Sequence, residues 1–256
     1  AHDGIWYYVL PNNRPRQANY AHPDVVEVLE RSGQDIEAQY PGSRIALGDA
    51  SLENGGDIRL HRSHENGLDV DIPFFIVDPG GVMLHTQAFH RFDNAVPRGG
   101  IAFDVERNWL LVELLLSQEV LAVQWIFISD PLKALLLQFA REIGVSEMLL
   151  ERARRVLWEP SDSSAHDDHF HVRFYCPGTD QLEGCRHYGP VWNDLSVIPF
   201  EFGVRTEQLL EGMEDTDEEI RAGVVEYLVH MGAAAAGPSL AEYLPEETPH
   251  VQMSIL

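Results

Sequence analysis

His61-Arg-Ser-His64-Glu-Asn-Gly67-Leu-Asp69-Val-Asp71 and, later in the chain, His166-Asp-Asp-His169-Phe-His171-Val-Arg173-Phe-Tyr175 are the two stretches on which the reading of this sequence turns. From His169 to Tyr175 polar and apolar residues alternate with the period of a strand, which puts His169, His171 and Arg173 on one face. In the first stretch Gly67 offers the backbone freedom for a sharp turn. A loop leaving His64 can therefore reverse there and enter a strand that aims Asp71 back at the same point, with Asp69 on Asp71's face.

Working outward, Pro23 and Asp24 open an apolar-periodic run that stops before Pro41-Gly42 and predicts a helix over about 23–39. Short pieces around Arg44 to Leu47 and Leu68 to Ile76 read as strands. Asp104 to Ser117 fits a helix, Val123 to Ile128 a buried strand, Pro131 to Ile143 a helix, and Ser146 to Leu157 another. Strands and helices mix without regular βαβ alternation. The expected class is α+β: a small antiparallel sheet carrying the histidines, flanked by helices and followed by a short helical segment.

The chain has 256 residues and 45% hydrophobic content, enough for a sizeable core. Its apolar runs, such as Leu110 to Leu116, break well short of the roughly 20 residues that span a bilayer, so no transmembrane segment is expected. Ala1 to Ile5 lack the basic start and apolar stretch of a secretory signal, which is either absent or already removed. With 18 basic and 41 acidic residues the net charge is −23, which repels polyphosphates and excludes nucleic acid as a partner. Cys176 and Cys185 sit in a Gly- and Pro-containing stretch. Their spacing allows a local disulfide in an oxidising compartment or two buried thiols; a zinc ribbon would need more sulfur.

Composition changes near Val204. Residues 206–256 hold eleven acidic residues and a single basic one, Arg221. Helices are expected at about 215–229 and 237–243, joined by small residues. This stretch resembles one HEAT-type repeat. Such a repeat needs neighbours, so 205–256 reads as an acidic segment of a truncated array that recruits a protein partner, against the alternative of a two-helix cap. The rest, 1–204, reads as one domain.

Five of twelve histidines fall in the two groups. Catalytic zinc takes three protein ligands from imidazole and carboxylate and leaves a position for water. His64 and Asp71 suit two of these, and one of His169 and His171 suits the third while the other stands beside it. No Glu sits as in His-Glu-x-x-His proteases, so an imidazole must move the proton, either His169 or His166. Serine chemistry is excluded, since Ser51, Ser63 and Ser164 lack a Gly-x-Ser-x-Gly elbow, and no phosphate-cradling loop occurs. The aromatic residues occur at a density usual for a core and receive no role.

The order His-x-x-Gly-x-x-x-Asp then His-x-His resembles the metallopeptidases typified by lysostaphin, D-Ala-D-Ala peptidases and sonic hedgehog. The longer strings from Gly55 to Ile72 and from His166 to Pro177 are similar to the penicillin-insensitive murein endopeptidases, over about residues 20–190. The resemblance implies zinc on His64, Asp71 and His171, with His169 catalytic and His166 a further active-site histidine. It also places His61 on a family histidine linked there to a possible second metal, for which Asp104, His85 and His90, and with them Asp69 and Asp168, are candidates. Asp69, Asp167 and Asp168 are candidate second-shell carboxylates, with a solvated turn as the alternative for the last two, and Arg62 and Arg173 candidate anchors for a substrate carboxylate. On this resemblance the chain is expected to hold one zinc and to be a periplasmic or envelope enzyme that cleaves D-Ala to meso-diaminopimelate cross-links between peptidoglycan stem peptides. The alternatives are a D-Ala-D-Ala carboxypeptidase and a non-catalytic peptidoglycan-binding scaffold, which a fourth protein ligand on the metal would favour.

Overall fold

A computed structural model describes residues 3–58, 61, 63–161, 165–177, 180, 185, 189–190 and 192, and of the C-terminal stretch 213, 218, 221–222, 224–225, 248–249 and 251. In chain order the elements are β1 (Tyr7–Val9), a 3-10 turn (Arg14–Arg16), α1 (Pro23–Gln39), β2 (Ile45–Leu47), β3 (Asp69–Pro73), β4 (Ile76–Val77), β5 (Met83–Leu84), β6 (Ala102–Phe103), α2 (Val105–Leu116), β7 (Val123–Phe127), α3 (Asp130–Glu142), α4 (Glu147–Val156), β8 (Leu157–Trp158) and β9 (His169–Phe174). The α+β expectation holds in this form.

Helices α1, α2 and α4 begin at local signals in the sequence. Asp104 accepts from the Arg107 amide at the start of α2, Ser146 from the Leu149 amide at the start of α4, and Pro23 occupies the first turn of α1. Their apolar stripes are buried: Val25, Val28, Leu29 and Ile36 on α1, Trp109, Val112 and Leu116 on α2, Leu132, Leu136 and Ala140 on α3. Helix α2 packs against α1, α3 and α4, and α4 packs against β7.

The central sheet has the order β3-β9-β7-β8. Strands β3, β9 and β7 pair antiparallel, as expected, whereas β8 joins β7 in parallel because α3 and α4 form the crossover between them. Strand β1 likewise pairs with β2 in parallel. Alternation then sorts the side chains. Val70, Ile72, Phe170, Val172, Phe174 and Ile126 are all buried on one face. Asp69, Asp71, His169, His171, Arg173, Trp125 and Phe127 leave on the other.

The single strand expected around Leu68 to Ile76 is broken in two. Buried Asn108 on α2 accepts from the Phe75 amide at 3.0 Å and donates to the Phe75 carbonyl at 2.9 Å. Taken up by a side chain, Phe75 leaves the ladder, and β4 turns into a separate sheet of order β5-β4-β6.

Two compact units divide the chain: Ala1–Tyr175 with Pro190–Trp192, and Cys176–Gly189 with Asn193–Leu256. The compositional step near Val204 falls inside the second. A disulfide joins Cys176 and Cys185 there. Of the helix expected at 215–229, Glu218, Arg221, Ala222, Val224 and Val225 are described and helical, and Val224 and Val225 are buried. The helix expected at 237–243 lies outside the described residues.

Candidate metal centre

Register fixes the centre. In the β3–β9 pair Asp71 stands opposite His171, Asp69 opposite Arg173 and Pro73 opposite His169, so two carboxylates and two imidazoles share one patch of the sheet. His64 arrives from the loop before β3. At Gly67 φ is +79°, and a Cβ there would stand 2.8 Å from the His22 amide nitrogen, so this return of the chain needs glycine. A bare backbone is needed again at Gly48, where a Cβ would meet the Phe89 ring at 2.6 Å and the Asp71 Cβ at 3.1 Å.

The segment after Gly48 runs beside β3, its Asp49 carbonyl accepting from the Asp71 amide at 2.9 Å. Its Ala50 carbonyl lies 2.7 Å from His64 Nδ1, which must donate to it. Nε2 of a neutral His64 therefore carries the lone pair. It faces Asp71 Oδ1 at 3.3 Å, and both atoms are shut away from solvent without a hydrogen bond of good geometry. A lone pair against a carboxylate oxygen is repulsive in a buried site. Only a proton or a cation between them makes the pair stable.

His171 completes the arrangement from the other side. Its Nε2 lies 2.7 Å from Asp69 Oδ1 and its Nδ1 3.8 Å from Asp71 Oδ1. Burial pushes the His171 pKa down and outweighs the pull of Asp69 and Asp71, so the ring is neutral. Burial opposes the charge on Asp69, but the His171 hydrogen bond and the charge of Arg173 hold its pKa below the usual value. The neutral ring thus donates Nε2–H to Asp69 and turns a free Nδ1 lone pair inward. Asp69 also accepts from Ser63 Oγ at 3.1 Å and from Arg173 Nε at 2.9 Å.

His169 Nε2 lies 3.3 Å from Asp71 Oδ1, and its Nδ1 lies 2.5 Å from Asp168 Oδ1. Burial lowers the His169 pKa, but Asp71 and Asp168 more than reverse this and raise it to about 10. That rise depends on Asp71 keeping an uncompensated charge; a cation held by Asp71 withdraws much of it. The His166 ring centroid is 5.2 Å from that of His169 and 5.5 Å from that of His171. Its φ of +48° is a left-handed conformation that a non-glycine residue adopts at a cost. Three imidazoles thus converge above the sheet.

Among the described residues, the group whose ligand atoms all lie within 4.8 Å of one another is His61, His64 and Asp71. It shares two members with the set expected from sequence and puts His61 in place of His171. The His61 ring lies 4.2 Å from that of His64, and its Nε2 is 3.0 Å from Asp49 Oδ2. Asp49 is buried and also accepts from Asn13 Nδ2 at 2.7 Å and Arg16 Nη2 at 2.8 Å. No sequence pattern pointed to Asp49.

Other expected residues fall elsewhere. Asp104 is occupied as the cap of α2 and is paired with Arg107, and His85 lies against Tyr8, so neither joins the cluster. His90 is also outside it. Asp167 faces Arg91 at 3.6 Å, whereas Asp168 holds His169. Arg62 lies outside the described residues.

Residues 1–194 match the family described as penicillin-insensitive murein endopeptidase. The chain belongs to that family. A penicillin-insensitive murein endopeptidase of Haemophilus influenzae is 30% identical over 200 residues, which cover 73% of this chain and 61% of the relative. The chain thus spans less than two thirds of that relative's length. The murein endopeptidase match includes both histidine groups and ends before the acidic segment 205–256 begins.

Proposed function

We propose that this protein is a zinc-dependent peptidoglycan endopeptidase that hydrolyses D-Ala to meso-diaminopimelate cross-links at the centre formed by His64, Asp71 and His171. The observation that carries the reading is the buried approach of His64 Nε2 to Asp71 Oδ1, 3.3 Å apart without a hydrogen bond of good geometry, while His171 Nδ1 faces the same oxygen. Two imidazole nitrogens and a carboxylate are the donor set of a catalytic zinc, and membership of a murein endopeptidase family supplies the substrate class. Bound there, zinc supplies a Lewis acid for the scissile carbonyl and lowers the pKa of water.

This chain's own residues do the rest. Asp69 fixes the tautomer of His171 through Nε2 and keeps Nδ1 available, as carboxylates behind metal-bound histidines do. Asp168 holds His169 through Nδ1, so that Nε2 is the nitrogen that takes a proton from water and passes it to the leaving amine. His166 stands against both rings and can share the proton. His61, backed by Asp49, is the residue a second ion would add.

The disulfide fits an oxidising compartment, consistent with action on the wall from the periplasm. No helix among the described residues is long and apolar enough to cross a membrane. Digestion of purified sacculi together with metal analysis tests the proposal. We expect about one zinc per chain, as for a three-ligand catalytic site, with cross-linked dimers converted to monomers with intact stems. Cleavage that survives chelation overturns the metal mechanism, and loss of terminal D-Ala without dimer opening identifies a carboxypeptidase instead.

A further inference from the structure

Followed strand by strand, the site face of the central sheet changes character. Strand β3 contributes carboxylates, and β9 contributes imidazoles and Arg173. Beyond them β7 and β8 contribute only rings: Trp125, Phe127 and Trp158. Phe127 stands opposite His171 in the β7–β9 ladder, its ring 5.1 Å from the imidazole and edge-on to it. From there the rings run outward, with Trp125 6.0 Å from both Phe127 and Trp158. Trp192 closes the row 4.9 Å from Trp125, pinned by its indole N–H to the Gln124 carbonyl at 2.8 Å. This row is not core, because Trp158 is 50% exposed.

Each end of the row also carries a cation. Arg173 lies over Phe127 at 5.4 Å, Lys133 over Trp158 at 5.7 Å and Arg155 over Trp192 at 5.7 Å. In a chain with 18 basic and 41 acidic residues, three cations on one aromatic surface are a local concentration of positive charge, of which Arg173 is already paired with Asp69. An anionic ligand repelled by the rest of the molecule is attracted here.

We infer that this aromatic and cationic platform is a substrate-binding subsite that takes a carboxylate-bearing peptide, the portion of the cross-linked stem peptide next to the scissile amide. The inference rests on the endopeptidase reading. The amide must lie at His64, Asp71 and His171, and Phe127 is within one side chain of His171, so what reaches the platform first is peptide rather than sugar. Ring faces suit the methyl and methylene groups of such a peptide, and the Lys133 ammonium over Trp158 suits a free carboxylate.

The test is steady-state kinetics on cross-linked stem-peptide dimers, prepared with and without their disaccharides, for wild type, Trp158→Ala and Lys133→Met. Val82→Ala, an exposed change away from this sheet, is the control. We expect Trp158→Ala to raise KM about tenfold with kcat nearly unchanged, as for loss of one aromatic anchor. Lys133→Met should raise KM at low salt and much less at high salt. Both shifts should persist on sugar-free dimers. An unchanged KM in both variants overturns the platform, and so does a shift that vanishes when the disaccharides are removed, which would place glycan on the rings. Dimer binding is followed separately by tryptophan fluorescence. Wild type that binds but does not cleave overturns the endopeptidase reading alone; wild type that neither binds nor cleaves overturns both.

Discussion

Along β9 one backbone serves two environments. His169, His171 and Arg173 leave on the side of Asp69 and Asp71, where Asp168 holds His169 and Asp69 holds His171 and Arg173. Phe170, Val172 and Phe174 leave on the other side and are buried almost completely, Phe170 edge-on to Phe74 at 4.9 Å between centroids. The difference teaches how a buried charged cluster is held without a large stabilising contribution of its own. Odd positions keep groups that are costly to desolvate, and even positions supply the apolar burial that offsets them.

Exchanging residues between these sides is the most severe test. His171→Ala should lower cleavage by about a thousandfold or more, because Lewis-acid assistance is worth several kcal/mol and each 1.36 kcal/mol is tenfold. Asp69 would keep Ser63 and Arg173 as donors, so the unfolding midpoint should move little. One position earlier, Phe170→Ala should cost about 3–5 kcal/mol of stability. Molecules that remain folded at low temperature should cleave at close to the wild-type rate. If Phe170→Ala removes activity from folded protein, or His171→Ala unfolds the chain, the division of labour along β9 is wrong.

How much of this was legible in the sequence depends on the same alternation. Strand period alone put His169, His171 and Arg173 on one face, and the His64 to Asp71 spacing with Gly67 between them brought those two residues together as expected. Helix starts were legible because caps are local: Asp104, Ser146 and Pro23 each act within a turn of their own position. The break after Pro73 was not, since its cause is Asn108, thirty-three residues on. Asp49 was hidden for the same reason, as its contacts come from Asn13, Arg16 and His61 and no spacing rule links them. The aromatic platform was hidden in composition, because only register separates Trp125 and Phe127 from a core ring.

Within the site face the next contrast is between two carboxylate–imidazole pairs, Asp69 with His171 and Asp49 with His61. Asp69→Asn keeps the shape and removes the charge that fixes the His171 tautomer. Zinc affinity or cleavage should fall roughly 10- to 100-fold, the usual cost of losing a carboxylate behind a metal ligand. Metal titration by competition with a chelator separates this from a folding defect, which would lower the unfolding midpoint as well.

Asp49→Asn makes the matching change behind His61 and should have the smallest effect, about tenfold at most, at the low end of that range. The reason is geometric. His64 already receives its support from the Ala50 carbonyl, and Asp71 receives its backbone bond from the Asp49 carbonyl, which the substitution leaves in place. Of the residues around the centre, His61 loses its carboxylate, and Arg16 loses its ion pair to the same oxygen. Should Asp49→Asn impair zinc binding as much as Asp69→Asn does, the metal would sit among His61, His64 and Asp71, whose ligand atoms lie within 4.8 Å of one another. His171 would then pass from ligand to proton carrier beside His169.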